Sequence, residues 1–167
     1  MRIMAVKREF KINDHIVYPL QGVGVIKDIS VRKIRGVDTP VYVIYIEVSD
    51  MTVIIPVSKA DEVGIRGLMS PAAAKKALES ISSEYKPLNV DWKIRYQMNV
   101  DLVREGSLES VTKVVQGLYL RSKIKELPVQ ERKLYDSALK LLVDECAFSL
   151  KKKPEDIEKE IFMRMEK

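Results

Sequence analysis

The chain has 167 residues, 46% hydrophobic and 32% charged, with 29 Lys and Arg against 24 Asp and Glu for a net charge of +5. That length suits one large domain or two small ones, and so mild a basic surplus permits nucleic-acid contact without demanding it. The only cysteine, Cys146, and the only histidine, His15, exclude internal disulfides, Cys-based metal sites and His-rich metal or triad arrangements.

Residues 11 to about 66 carry strand chemistry. His15-Ile-Val-Tyr18 ends at Pro19, and Gly22 and Gly24 supply a turn where the backbone needs freedom. From Val23 to Ile34 the apolar residues alternate and then slip register near Lys27, the mark of a bulge. Arg35-Gly-Val-Asp-Thr-Pro40 has the composition of a hairpin loop. Val41–Val48 and Met51–Val57 are β-branched and aromatic, joined by Ser49-Asp50, and Pro56 belongs on an edge because it cannot donate to a ladder. Four or five short strands this close together predict a small, strongly bent sheet or barrel.

After Gly67 the chemistry becomes helical. Ser70 followed by Pro71 is an N-cap with proline at the first helical position, opening a helix over Ala72–Tyr85. Pro87–Asp91 reads as a linker, followed by a helix from Trp92 to Glu105. Gly106-Ser107 stops that helix and caps a third, from Leu108 to about Glu126. Leu127-Pro128 opens a fourth, in which Leu134, Ala138, Leu141, Leu142 and Cys146 keep helical spacing. Lys151-Lys-Lys-Pro154 breaks the chain before a last amphipathic helix, Glu155–Glu166. The spacing therefore predicts an α+β protein, a β domain over 1–67 and an all-helical domain over 68–167.

No catalytic constellation stands out. There is no GxxxxGK[ST] phosphate loop and no GxGxxG after a strand. The adjacent carboxylates Asp61-Glu62 and Asp144-Glu145 point apart on a helix and read as solvated surface charge. Cys146, in a helical setting, reads as packing. No enzyme activity, cofactor or metal is expected. No apolar run approaches the roughly twenty residues of a membrane span, and the opening residues lack a signal-peptide core. The expectation is a soluble cytoplasmic protein with no membrane partner.

Phe10–Ile26, with its Tyr-Pro-Leu-Gln-Gly-Val-Gly-Val core, resembles the opening signature of the CarD/CdnL transcription regulators. That module is shared with transcription-repair coupling factors. Met51–Arg66 is similar to the end of the same module, and Asp91-Trp-Lys-Ile-Arg-Tyr96 with Gly106-Ser107 resembles the helical half of the stand-alone proteins. The three blocks span about residues 10 to 150, and residues 1–9 look like an extension. Asn13 stands where a glycine is usual and Gln21 where a ring is common; Ile54, Ile94 and Gln97 stand at positions basic in some relatives. Asn tolerates the left-handed backbone nearly as well as Gly, so the turn at Asn13 is expected to survive.

The resemblance implies a Tudor-like β-barrel that docks on the RNA polymerase β subunit through an exposed sheet edge. Arg32, Lys33 and Ile34 from one strand, with Val53 and Ile54 from its neighbour, are the implied polymerase contacts; by chemistry alone the apolar members read equally as sheet core. It also implies that the helical half lies at the upstream edge of the transcription bubble. There Trp92 would be an apolar wedge in the minor groove, with Lys93, Arg95, Arg132 and Lys133 on phosphates. Alone, Trp92 reads as a bundle-core tryptophan and the basic residues as a solvated helix face. Between Lys113 and Lys133 six basic residues face two acidic ones, a local surplus of +4. The implied function is stabilisation of the promoter open complex by a monomer, the nucleoid reached through polymerase and DNA contact weak and largely sequence-independent. The alternative is an adaptor that docks on polymerase and uses its helices to recruit another protein.

Overall fold

A computed structural model describes residues 10–82, 84, 89–105 and 107–166. The chain divides between Leu68 and Met69 into two compact units.

The first unit is an antiparallel sheet. β1 (His15–Tyr18), β2 (Gly22–Ile34), β3 (Val37–Ile46), β4 (Met51–Pro56) and β5 (Arg66–Gly67) lie in the order β4-β3-β2-β1-β5. A one-turn helix, α1 (Ala60–Val63), precedes β5. Neither this helix nor the two-residue β5 was expected, since elements this short leave no periodicity to read. Alternation puts Ile16, Ile26, Tyr42, Ile44, Ile46 and Ile55 into one apolar core, closed by Phe10, whose ring meets Tyr42 edge-on at 5.7 Å. Asn13 takes φ 76°, so the left-handed turn is made without glycine. Gly24 is required for a different reason. A Cβ there would stand 2.9 Å from Ile44 Cγ2 and 3.1 Å from the Tyr45 carbonyl oxygen.

The bulge near Lys27 is present: Ile26 pairs with Ile44 and Asp28 with Val43, leaving Lys27 over. The hairpin that follows differs from the expected loop. Only Arg35 and Gly36 form the turn, with φ 52° and 77°, so the six-residue loop contracts to two residues and the strands lengthen. Paired positive φ values are what a two-residue turn needs to match strand twist. Asp38, Thr39 and Pro40 have loop composition but lie in β3. Pro40 sits where β3 has outrun β4, whose last pair is Pro56 with Val41, so that side has no ladder to interrupt.

The second unit is helical: α2 (Pro71–Glu79), α3 (Trp92–Glu105), α4 (Leu108–Ile124), α5 (Val129–Leu150) and α6 (Pro154–Met165). Ser70 Oγ accepts from the Ala73 amide and Ser107 Oγ from the Ser110 amide, capping α2 and α4. α2 stops at Glu79, earlier than expected, and Tyr85 lies outside the described residues. Ser80 Oγ donates to the Ala77 carbonyl, and past it Gln116 of α4 takes over the backbone. Its amide oxygen accepts from Ser82 N at 3.0 Å and its amide nitrogen donates to the Glu84 carbonyl at 2.8 Å. These tertiary bonds substitute for another helical turn. Of the expected linker, Pro87 and Leu88 lie outside the described residues, as do Gly106 and residues 1–9.

Leu134, Ala138, Leu141, Leu142 and Cys146 are all buried on α5. The reading of Asp144-Glu145 as surface charge is corrected. Glu145 is fully buried and accepts the Met69 amide at 3.0 Å, while burial raises the pKa of Asp144 despite Lys140 at 3.9 Å. Asp61 and Glu62 are exposed.

Candidate functional site

Two surfaces carry the residues singled out by sequence, one on each unit. On the sheet, β2 pairs with β1 only as far as Val25, and β3 with β4 only from Val41 on. Residues 31–34 and 37–40 therefore run on as a two-stranded ribbon, with Arg32 and Lys33 exposed near its tip and Ile34 36% exposed. Val53 and Ile54 sit on β4, the edge strand. They are not on the strand next to Arg32, because β3 lies between. Ile54 pairs with Val43 and Val43 with Asp28, so Arg32 lies about 13 Å along and about 10 Å across from it.

Register also sorts the five residues by face. Arg32, Ile34 and Ile54 share the face that carries Val43, and Lys33 and Val53 lie on the other. Val53 is partly buried and packs against the apolar core, so what β4 has to offer a partner there is its edge backbone. Ile54 is 44% exposed. Further along the same face, Tyr45 donates to Asp50 at 2.7 Å, a hydrogen bond that raises the phenol pKa.

On the helical unit, Trp92 opens α3 and is half-buried, while Lys93 and Ile94 are exposed. Trp92 belongs to the row Trp92, Arg95, Tyr96, Asn99, Val100, Val103, the inward stripe of α3. The outward side carries Ile94 and Met98, and Gln97, whose amide donates to Asp101 at 2.9 Å.

Arg95 is not available to a phosphate. It is 4% exposed, with Nη2 2.7 Å from Glu131 Oε1 and Nε donating to Oε2 at 3.3 Å, and Glu131 is fully buried. This corrects its reading as a DNA contact: its charge is directed into the protein. The pair joins the first turn of α3 to the first turn of α5, bringing Trp92 and Lys93 to the end of α5 that holds Arg132 and Lys133. Both of those are exposed, Arg132 beside Asp136 at 3.6 Å and over the Tyr135 ring at 5.8 Å. Arg121, Lys123 and Lys125 flank the same α4–α5 corner. Lys113 lies elsewhere on α4, ten residues before Lys123 and 3.8 Å from Glu109.

Sequence reading missed Glu131, although a signal existed. The row Leu134, Ala138, Leu142 extended one turn each way reaches Glu131 and Glu145, so helical phase alone places both inside. Cys146 is buried, and burial pushes its thiol up to about 12, which keeps it an unreactive packing group. Among the described residues no group of three His, Cys, Asp or Glu could hold a metal, and no helix is long and apolar enough to cross a membrane.

Comparison with known proteins finds the same family on both units. Residues 10–69 match the CarD-like/TRCF RID domain, and residues 76–162 match the CarD C-terminal domain. The chain belongs to the CarD family. It is 33% identical over 136 residues to a Bacillus subtilis (strain 168) protein named "Putative transcription factor YdeB", covering 81% of this chain and 89% of that one. The first match ends one residue past the division between Leu68 and Met69 and the second begins beyond it, so sheet and helices each correspond to a family module.

Proposed function

We propose that this protein regulates transcription without catalysis, docking its sheet on the RNA polymerase β subunit and using its helical unit to favour the promoter open complex. The observation that carries the reading is the buried Arg95–Glu131 pair, which joins the helix end that bears half-buried Trp92 and exposed Lys93 to the helix end that bears exposed Arg132 and Lys133. An apolar wedge ringed by cations suits a distorted duplex end, where ring contact replaces lost base stacking and the cations hold backbone phosphates. On the sheet, the exposed edge strand β4, with Ile54, offers the backbone pairing that a partner strand uses, and the ribbon tip adds Arg32 and Lys33. A difference of about 1.4 kcal/mol between open and closed states shifts their ratio tenfold, within reach of one wedge and a few phosphate contacts. Because polymerase does the placing, the isolated protein is expected to bind free DNA weakly and without sequence preference, in the cytoplasm where polymerase works.

The test is the lifetime of open complexes formed by the cognate polymerase after a competitor challenge. It is measured without the protein, with it, and with a folded Trp92→Ala variant. The protein is expected to lengthen the lifetime and the variant to do so much less. Equal binding to polymerase with no change in lifetime would sink the reading. One feature favours the adaptor alternative: Trp92 lies on the inward stripe of α3 while Ile94, 55% exposed, and Met98, 42% exposed, face out. In that case Ile94→Ser with Met98→Ser abolishes recruitment of a protein partner and leaves open-complex lifetime alone.

A further inference from the structure

We infer that the Arg95–Glu131 pair is a positioning device for Trp92, dispensable to the fold as a whole. The inference rests on the open-complex reading for its consequence, though not for its physics. Two buried charges meet at two points, a hydrogen bond from Nε to Oε2 at 3.3 Å and an ion-pair approach of Nη2 to Oε1 at 2.7 Å that lies outside hydrogen-bond geometry, so two nitrogens of one plane face two oxygens of the other. Lysine, a point charge, could not do this. Such a pair is a poor choice for stability alone, because desolvation of both ions offsets their attraction and apolar residues of similar volume hold a core as well. What it supplies is direction, which apolar contact does not.

The location gives that direction a purpose. Arg95 is the residue whose amide closes the first backbone bond of α3, to the Asp91 carbonyl at 3.0 Å, and Glu131 is the third residue of α5. Both stand in terminal turns, which open most easily in a folded protein. Trp92, three residues before Arg95, lies on the neighbouring row of the same helix face. Anchoring the first closed turn of α3 to α5 therefore holds the wedge at a helix end that would otherwise fray. The same anchor turns Glu131 inward, so that Arg132 and Lys133, the next two residues around α5, are exposed.

Trp92 is the only tryptophan, so its fluorescence reports on this turn alone. The experiment uses the full chain in three forms: wild type, the apolar pair Arg95→Met with Glu131→Leu, and Arg95→Lys. Three quantities are read: thermal midpoint, time-resolved anisotropy of Trp92, and open-complex lifetime with polymerase. The apolar pair is expected to keep or raise the midpoint, while the slow anisotropy component of Trp92 shrinks and the lengthening of open-complex lifetime is largely lost. Arg95→Lys is expected to lie between the two in anisotropy. Unchanged anisotropy in the apolar pair would overturn the inference and make the ions mere packing. If the apolar pair fails to fold, Arg95→Lys decides: reduced anisotropy in a folded protein supports positioning, and wild-type anisotropy refutes it. A fall in anisotropy, with wild-type protein that leaves open complexes unaltered, keeps the positioning role and removes the open-complex reading instead.

Discussion

The two units bury different chemistry. The sheet core is apolar but for the Tyr42 hydroxyl, which accepts the Phe10 amide at 3.4 Å, whereas Arg95, Ser110, Thr112, Glu131 and Glu145, buried polar and charged residues among those described, all belong to the helical unit. A sheet obtains its register from alternation and turn geometry, because a one-residue slip would turn every side chain to the wrong face. Helices packed through apolar stripes can slide and rotate at lower cost, and directional buried groups fix them. Arg95 and Glu131 tie α3 to α5; Glu145 accepts the Met69 amide while Ser149 donates to the Met69 carbonyl at 2.6 Å, tying the lead into α2 to α5.

The sharpest way to break this contrast is to remove one buried charge. Glu131→Ala leaves Arg95 unpaired inside the protein and is expected to cost about 3–5 kcal/mol, read from urea unfolding. A cost under about 1 kcal/mol would mean that water reaches the pair and that it fixes nothing. Alkaline pH attacks the same helical core by another route. Burial pushes both the Cys146 thiol and the Tyr135 phenol up to about 12. Each is neutral in the folded protein over a range where the unfolded chain ionises. Their contribution is complete below the ordinary pKa values of 9.0 and 10.0 and is lost as pH rises toward about 12. Stability should fall by about 1.4 kcal/mol per pH unit for each group in its window. Thermal midpoints of wild type and Cys146→Ala from pH 8 to 11 check this, the variant losing less above pH 9.

Much of the sheet was legible because its rules are local. The bulge at Lys27 and the edge position of Pro56 each follow from a few adjacent residues, while the left-handed Asn13 was expected from the family resemblance. The hairpin loop was misread because Asp, Thr and Pro carry loop statistics, while the deciding fact, that β3 outruns β4, is a property of the whole sheet. The site was legible in part. Trp92, Lys93, Arg95, Arg132 and Lys133 were all proposed through family likeness, which carries no information on whether Arg95 is buried. Its partner stands 36 residues away on another helix, and only the packing of the two brings them together.

Within the sheet, the expected effects are smaller and steric. Gly24→Ala places a Cβ against Ile44, a fully buried β-branched residue, and against backbone at Tyr45, neither of which gives easily. A loss of about 1–3 kcal/mol is expected in urea unfolding, the range for overpacking. A neutral result would mean that the sheet core yields as readily as a helical interface, which removes the contrast from its other side.

The smallest expected stability effect separates side chain from edge on a single strand. Ile54→Arg replaces an apolar side chain that is 44% exposed on the face opposite the core, so unfolding stability should change by less than about 0.5 kcal/mol. Val53→Arg, one residue earlier, sets a charge against the core cluster from a partly buried position and should cost more, about 1–3 kcal/mol. The functional consequence of Ile54→Arg runs the other way. The family resemblance implies a basic residue at this position, so the variant is expected to bind polymerase more tightly in a titration against the β subunit, and less so as salt rises. If affinity and its salt dependence stay at wild-type values, β4 is not the docking edge, and the ribbon tip with Arg32 and Lys33 becomes the surface to alter. If affinity rises while open-complex lifetime does not, the sheet binds independently of what the helices do, and the division of labour between the two units is real.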